Sequence, residues 1–342
     1  MLTRRAALGT IAGGVIGASG MLRVTDAAPS PPFGPFERVS NLPLLSPVGS
    51  GFESAGVFNP SAMRTKDGIV LLYRAQDAHG TSSIGYAVSK DGVHFDRRAT
   101  PVLTPQAPYE FQGGVEDPRL VSIAGTYYLT YTGYNSVEQS AQLCLATSKD
   151  LIHWDRHGVI LPAYRGRWNV GWTKSGAIVP QKINGRWWMY YLGDGAYQND
   201  LKPGQMGLAY SDDLLHWTDA MSTSVLQTRP RMFDSNVVEP GPPPIVTDQG
   251  ILLIYNGADQ YLVYSTGWAL FDKNDPTKVI ARSETPLFGA YLPWERDGQV
   301  PNVVFVEGMI LDGNDLTFYY GAGDKMIGSA RTRLRWGMPA AT

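Results

Sequence analysis

Three acidic residues stand where acid–base chemistry would be expected: Asp117 in Glu116-Asp117-Pro118, Glu239 in Glu239-Pro240, and Glu295 in Pro293-Trp294-Glu295-Arg296-Asp297-Gly298. Cleavage of a glycosidic bond needs two carboxyls, one to protonate the leaving oxygen and one to activate water or attack the sugar, at separations of about 6.5–9.5 Å or about 5–5.5 Å respectively. Asp117 is read as the proton donor, with Glu239 and Glu295 competing for the role of base. Asn59, Lys174 and Asn302 occupy points of an internal repeat that match Asp117 and Glu239. A purely structural repeat would keep one residue type there, whereas amide, carboxylate and amine in turn suit a ligand with distinct hydroxyls. Arg165, Arg167 and Lys174 offer different chemistry, since a basic cluster could hold a phosphate dianion as the attacking group.

The repeat that positions these residues is visible in five segments, Ile84-Gly85-Tyr86-Ala87, Leu143-Cys144-Leu145-Ala146, Met206-Gly207-Leu208-Ala209, Thr266-Gly267-Trp268-Ala269 and Ile327-Gly328-Ser329-Ala330. Their alanines recur roughly every 60 residues. Ahead of each lies a β-prone run, ending at Tyr73, Tyr131, Tyr191, Tyr255 and Tyr320, rich in the branched and aromatic residues that suit strands. Behind the first three come Ser89, Ser148 and Ser211, each opening a Ser-x-Asp turn with a histidine (His94, His153, His216) before an aromatic. Recurrence at one repeat position marks these histidines as structural, and no metal-ligand spacing is present. Four short strands per unit, five units and no amphipathic helix predict an all-β, five-bladed propeller over residues 41–342. In that fold the first strands converge on the central axis and bring the polar residues to one mouth.

Bulk properties agree with a sugar-directed protein. Across 342 residues the net charge is −2, and no basic run exists to attract nucleic acid. Nine Trp and 18 Tyr supply more flat ring surface than a core requires, and such faces suit sugar C–H surfaces; Trp294 is the candidate platform. One cysteine, Cys144, excludes an internal disulfide. Arg4-Arg5 followed by an apolar Gly/Ala-rich run predicts a twin-arginine export leader over residues 1–28. The mature protein is therefore expected in the periplasm or outside the cell, free of the membrane. Residues 29–40 are read as a linker or a strap on the domain.

The chain resembles glycoside hydrolase family 130, the β-mannoside phosphorylases and β-mannosidases. The resemblance runs end to end and rests on Phe58-Asn59-Pro60-Ser61, Leu72-Tyr73-Arg74-Ala75, Gly114-Val115-Glu116-Asp117-Pro118-Arg119, Pro240-Gly241-Pro242-Pro243-Pro244, Pro301-Asn302-Val303-Val304-Phe305 and Tyr319-Tyr320-Gly321-Ala322-Gly323-Asp324. It implies a five-bladed propeller and an inverting reaction without metal or other cofactor. It also implies a mannosyl unit beside the broken bond, Asp117 as general acid acting through a mannosyl hydroxyl, and Asn59, Arg74, Asp117, Arg119 and Asp324 as sugar-binding positions. Trp172-Thr173-Lys174-Ser175-Gly176-Ala177 resembles the hydrolytic members, in which glutamates are the base and β-1,2-linked mannosides are favoured. Hydrolysis is the expectation; phosphorolysis, and a propeller that binds sugar without cutting it, stay open as alternatives.

Overall fold

The computed structural model describes residues 31–163, 168–194 and 203–337; the leader and the Arg165 and Arg167 assignments lie outside them. The chain is all-β. After β1 (Glu37–Arg38), strands β2 (Gly56–Thr65), β3 (Gly68–Gln76), β4 (Ser82–Ser89) and β5 (Asp96–Arg97) form a first antiparallel meander. A second consists of β6 (Gln112–Ile123), β7 (Thr126–Asn135), β8 (Ser140–Ser148) and β9 (Asp155–Leu161). A third has β10 (Trp172–Ile178), β11 (Trp187–Asp194), β12 (Gly204–Ser211) and β13 (Thr218–Asp219).

In the fourth, β14 (Val237–Pro240) and β15 (Ile245–Val246) both pair with β16 (Ile251–Ala258), which leads to β17 (Tyr264–Phe271), β18 (Val279–Arg282) and β19 (Phe288–Gly289). A one-turn helix, α1 (Pro293–Arg296), precedes the fifth, β20 (Val304–Asp312), β21 (Asp315–Ala322) and β22 (Met326–Arg333). Its fourth strand is β1, paired through Glu37 with Arg331 and Arg38 with Ala330. The segment expected to be a strap thus enters the last sheet, and Phe33 is part of the core. Parallel contacts of β4 with β6 and β12 with β14 join neighbouring meanders, so the strands count as sheets of eight, ten and four.

The repeating alanines all lie, fully buried, on third strands. The second strands are apolar on both faces because alternate side chains enter different cores. On β3, Val70 and Leu72 pack with Leu120 and Leu129 of the second meander, whereas Leu71 and Tyr73 pack with Ile310 and Tyr319 of the fifth. Among the described residues each of five apolar clusters lies between consecutive meanders, one of them joining the fifth back to the first. Each fully buried Leu or Tyr there contributes roughly 1.5–3 kcal/mol of transfer free energy.

The tyrosines that end the second-strand runs carry a polar clasp. Tyr73 donates to Glu53 at 3.0 Å, Tyr131 to Glu110 at 3.2 Å, Tyr255 to Asp234 at 2.7 Å and Tyr320 to Glu295 at 2.7 Å. Each acid also pairs with an arginine of its own meander's fourth strand: Arg97, Arg156, Arg282 and Arg38. In the third meander Asn169 takes the acid's place and donates to Tyr191 at 3.1 Å. The Ser-x-Asp turns are structural as expected: Asp91, Asp150 and Asp213 each accept two backbone N–H bonds and contact the Nδ1 of His94, His153 and His216 at 2.6–2.7 Å.

Candidate active site

The first strands of the first three meanders break their pleat at equivalent points. Bulges fall at Phe58/Pro60 on β2, Glu116/Arg119 on β6 and Lys174/Ala177 on β10, and within them Asn59, Asp117 and Ser175 adopt left-handed backbone with φ of 47°, 50° and 61°. A bulge re-aims the side chain it carries, and Asn and Asp tolerate that conformation better than most residues. Asn59 Nδ2 donates to Asp117 Oδ1 at 2.8 Å. Gly321 permits the arrangement, because a Cβ there would collide with Asn59 Oδ1.

Arg74, on β3 with its guanidinium over the Phe58 ring, spans two adjacent acids: Nη2 is 2.5 Å from Glu116 Oε1 and Nη1 is 3.6 Å from Asp117 Oδ1. Lys174 links Asp117 to the acid of the fourth meander. Its Nζ is 3.1 Å from Glu239 Oε1 and 3.8 Å from Asp117 Oδ2, so those oxygens are at most about 7 Å apart, a bound that admits either carboxyl spacing used by glycosidases. Ser175 also donates to Glu239 Oε1. The Arg74 and Lys174 side chains keep 16% and 19% of their surface exposed while those of Asp117 and Glu239 keep 4% and 1%, so the cluster meets solvent through its two cations.

Electrostatics separates the acids. Burial pushes the Asp117 carboxyl up, but Arg74, Lys174, Arg119 and the Asn59 hydrogen bond outweigh it and hold its pKa below the usual carboxylate value. Burial dominates for Glu116, raised to about 7 despite Arg74 and further by Asp117, and for Asp324, raised to about 6. Burial would lower Lys174; Glu239 and Asp117 reverse this and keep it charged. Asp324, in the turn after β21, and Tyr264, at the start of β17, feel the charges of Asp117, Lys174 and Glu239. Tyr134 lies near Glu116, Arg74 and Lys174 and packs edge-on against Trp172.

Asn59, Arg74, Asp117, Lys174, Glu239 and Asp324 are therefore brought together, while three other residues singled out in the sequence are not. Glu295 is a clasp acid: Arg38 donates to both its oxygens, Tyr320 to one, and the N–H groups of Tyr291 and Leu292 to the other. Fully buried and so engaged, it is the counterpart of Glu53, Glu110 and Asp234 and has no acceptor to spare for a water. Burial would raise its pKa, and the Arg38, backbone and Tyr320 hydrogen bonds bring it below the usual value. Its stabilising contribution is thus present above the unfolded carboxylate pKa and lost as pH falls. Glu295→Gln should destabilise the fold by about 2–4 kcal/mol by stranding Arg38, with kcat retained; thermal melts and initial rates would check both.

Trp294 is not a platform, because its ring stacks on Tyr320 with planes 7° apart and its indole N–H donates to the Asn41 carbonyl. Asn302 stands just before β20 with the left-handed backbone of Asn59 and Asp117 (φ 59°), and its carbonyl accepts from the N–H of Tyr264 beside the cluster. Arg119 is buried and turned to backbone: its guanidinium donates to the carbonyls of Asp117, Pro240 and Gly241. Sequence reasoning also missed Glu116 as a partner of Arg74, and Ser175, Tyr134 and Tyr264. Glu116 adjoins Asp117 in the chain and could have been noticed; the tyrosines carry no such signal.

A family model described as β-1,4-mannooligosaccharide phosphorylase, of glycoside hydrolase family 130, matches residues 36–338. A 1,2-β-oligomannan phosphorylase of Thermoanaerobacter sp. is 38% identical over 87% of this chain and 97% of its own. The β-1,2-mannobiose phosphorylase of Listeria innocua, solved with β-1,2-mannobiose, superposes with a TM-score of 0.76 at 26% identity, covering 87% of this chain and 96% of that one. Another solved structure comes from work on glycoside hydrolases, within this family of mannoside phosphorylases, that target β-1,2-mannosidic linkages in Candida mannan. It has a TM-score of 0.78 and 35% identity over 89% of this chain and 95% of that one.

Proposed function

Because the chain belongs to glycoside hydrolase family 130, we propose that it cleaves β-mannosidic bonds, β-1,2-linked ones first, with Asp117 as proton donor and water as the attacking group. The five meanders are read as propeller blades, since their cores follow one another in a ring, and the cluster as the mouth of the channel. The observation that carries the reading is the Asp117–Lys174–Glu239 array. Glu239 takes a proton from water as it attacks the anomeric carbon from the face opposite the leaving oxygen, which gives inversion. Lys174 orients the Glu239 carboxyl, and its charge steadies the carboxylate left on Asp117 after proton transfer. Arg74, Asn59 and Asp324 hold the mannosyl hydroxyls.

The proton supply follows from the three neighbouring acids. Asp117 is the most acidic in the free enzyme, while Glu116, with a pKa near 7, and Asp324, near 6, hold protons beside it. A sugar hydroxyl lodged among them would relay the Glu116 proton to Asp117, which passes it to the leaving oxygen, so that Glu116 is left as the carboxylate. Because a raised pKa means the proton is present below that value, kcat/KM should fall as pH rises through about 7, and Glu116→Gln should displace that limb. A pH–rate series on both proteins would measure this.

Phosphorolysis is the second reading, and the curated relatives favour it: the Thermoanaerobacter protein is named a phosphorylase. One consideration weighs toward water: an exported enzyme, as the leader suggests, would gain nothing from conserving bond energy in a sugar phosphate. Initial rates on β-1,2-mannobiose across a phosphate titration separate the two. We expect full activity without phosphate; a rate proportional to phosphate at low concentration would establish the second reading.

A further inference from the structure

We propose that Arg119 and Glu307 form a positioning pair that sets the distance between Asp117 and Glu239. The inference rests on the reading of those two as the acid and base. Arg119 rises from β6, two residues after Asp117, and reaches across to the fourth meander. Its Nη1 donates to the Asp117 carbonyl at 3.2 Å, Nη2 to the Pro240 carbonyl at 2.7 Å and Nε to the Gly241 carbonyl at 3.0 Å. Pro240 and Gly241 directly follow Glu239. One planar, rigid fork therefore ties the backbone bearing the acid to the backbone bearing the base, and a guanidinium is the only side chain able to make three such bonds at fixed angles.

Glu307 comes from the fifth meander, at the Val306/Gly308 bulge of β20. It is fully buried, and its Oε2 lies 3.4 Å from Arg119 Nη2, while neither oxygen has a hydrogen bond among the described residues. Among the described residues its ion-pair partner is Arg119. Its own backbone is fixed from the fourth meander: Asn256 Nδ2 donates to the Val306 carbonyl and Asn256 Oδ1 accepts from Val306 N, both at 2.9 Å. Gly241 lets the two strands approach, since a Cβ there would come within 2.7 Å of the Val306 carbonyl. Glu307 thus faces a guanidinium that gives three of its N–H groups to carbonyls, while burial holds the Glu307 carboxyl well above the usual carboxylate pKa, and three meanders are referenced to one point beneath the reacting groups.

The test uses Glu307→Gln and Arg119→Lys in the full chain, with crystal structures, melts and kinetics compared with those of the parent protein. Glu307 borders a cavity of about 300 Å³, so the near-isosteric amide can be accommodated if the lysine variant fails to fold. The gap between the Asp117 and Glu239 carboxyls is expected to change by more than about 0.5 Å. The expected kinetic result is a fall in kcat of about 30- to 100-fold with KM within about threefold, the loss typical of an ångström's misplacement. An unchanged gap in the folded variants overturns the proposal whatever the activity, as does a changed gap with unchanged kcat; a lowered melting temperature with kcat intact assigns the pair to stability alone. If Asp117→Asn, run in the same assay, cleaves normally, the acid–base reading fails, and the measured gap still decides whether the pair sets the spacing.

Discussion

Asp117→Asn is expected to lower kcat on β-1,2-mannobiose by about 10³-fold while leaving the fold intact. Loss of a general acid costs about 10² to 10⁴ in rate, and a sugar leaving group needs its proton. The amide can keep the contact with Asn59 after a flip but cannot answer the charges of Arg74 and Lys174, so some loss of stability accompanies the loss of rate. An aryl β-mannoside whose leaving group departs readily as the anion should be affected far less. Steady-state rates on both substrates would show the difference; near-normal turnover of the disaccharide would remove Asp117 from the mechanism.

Glu239→Gln should reduce hydrolysis by a similar factor, but equally for both substrates, because water must be activated whatever leaves. Azide, a nucleophile that needs no base, should restore turnover in this variant and yield the α-mannosyl azide. The structural ground is that Glu239 alone among the candidate bases has its carboxyl drawn to Lys174 beside Asp117. Undiminished phosphate-driven turnover in Glu239→Gln would fit the second reading instead.

Much of the fold was legible because a five-fold repeat keeps its apolar register: the alanines mark third strands, and the tyrosine-ending runs mark second strands buried on both faces. Asp117 and Glu239 were legible because equivalent first-strand positions carried different polar residues. Glu295 misled for a related reason. It and its three repeat partners lie in loops of differing length, 20, 21, 21 and, for Glu295 itself, 25 residues before the tyrosines they contact, so its membership of a structural set shows only once Tyr73, Tyr131, Tyr255 and Tyr320 are compared. Asn302 lies just outside β20, whose pairing sets Phe305 opposite Gly321, and its backbone meets Tyr264 beside the cluster. Arg119 could not be placed from sequence, since an Asp-Pro-Arg triplet reads the same whether the guanidinium meets a sugar or three carbonyls.

The most direct test of the account is to run β-1,2-mannobiose cleavage in ¹⁸O-labelled water, with and without inorganic phosphate, following the products by NMR and mass spectrometry. The account predicts α-mannose carrying the label at its anomeric oxygen, formed at the same rate in both samples. Unlabelled mannose 1-phosphate appearing only when phosphate is present would contradict it.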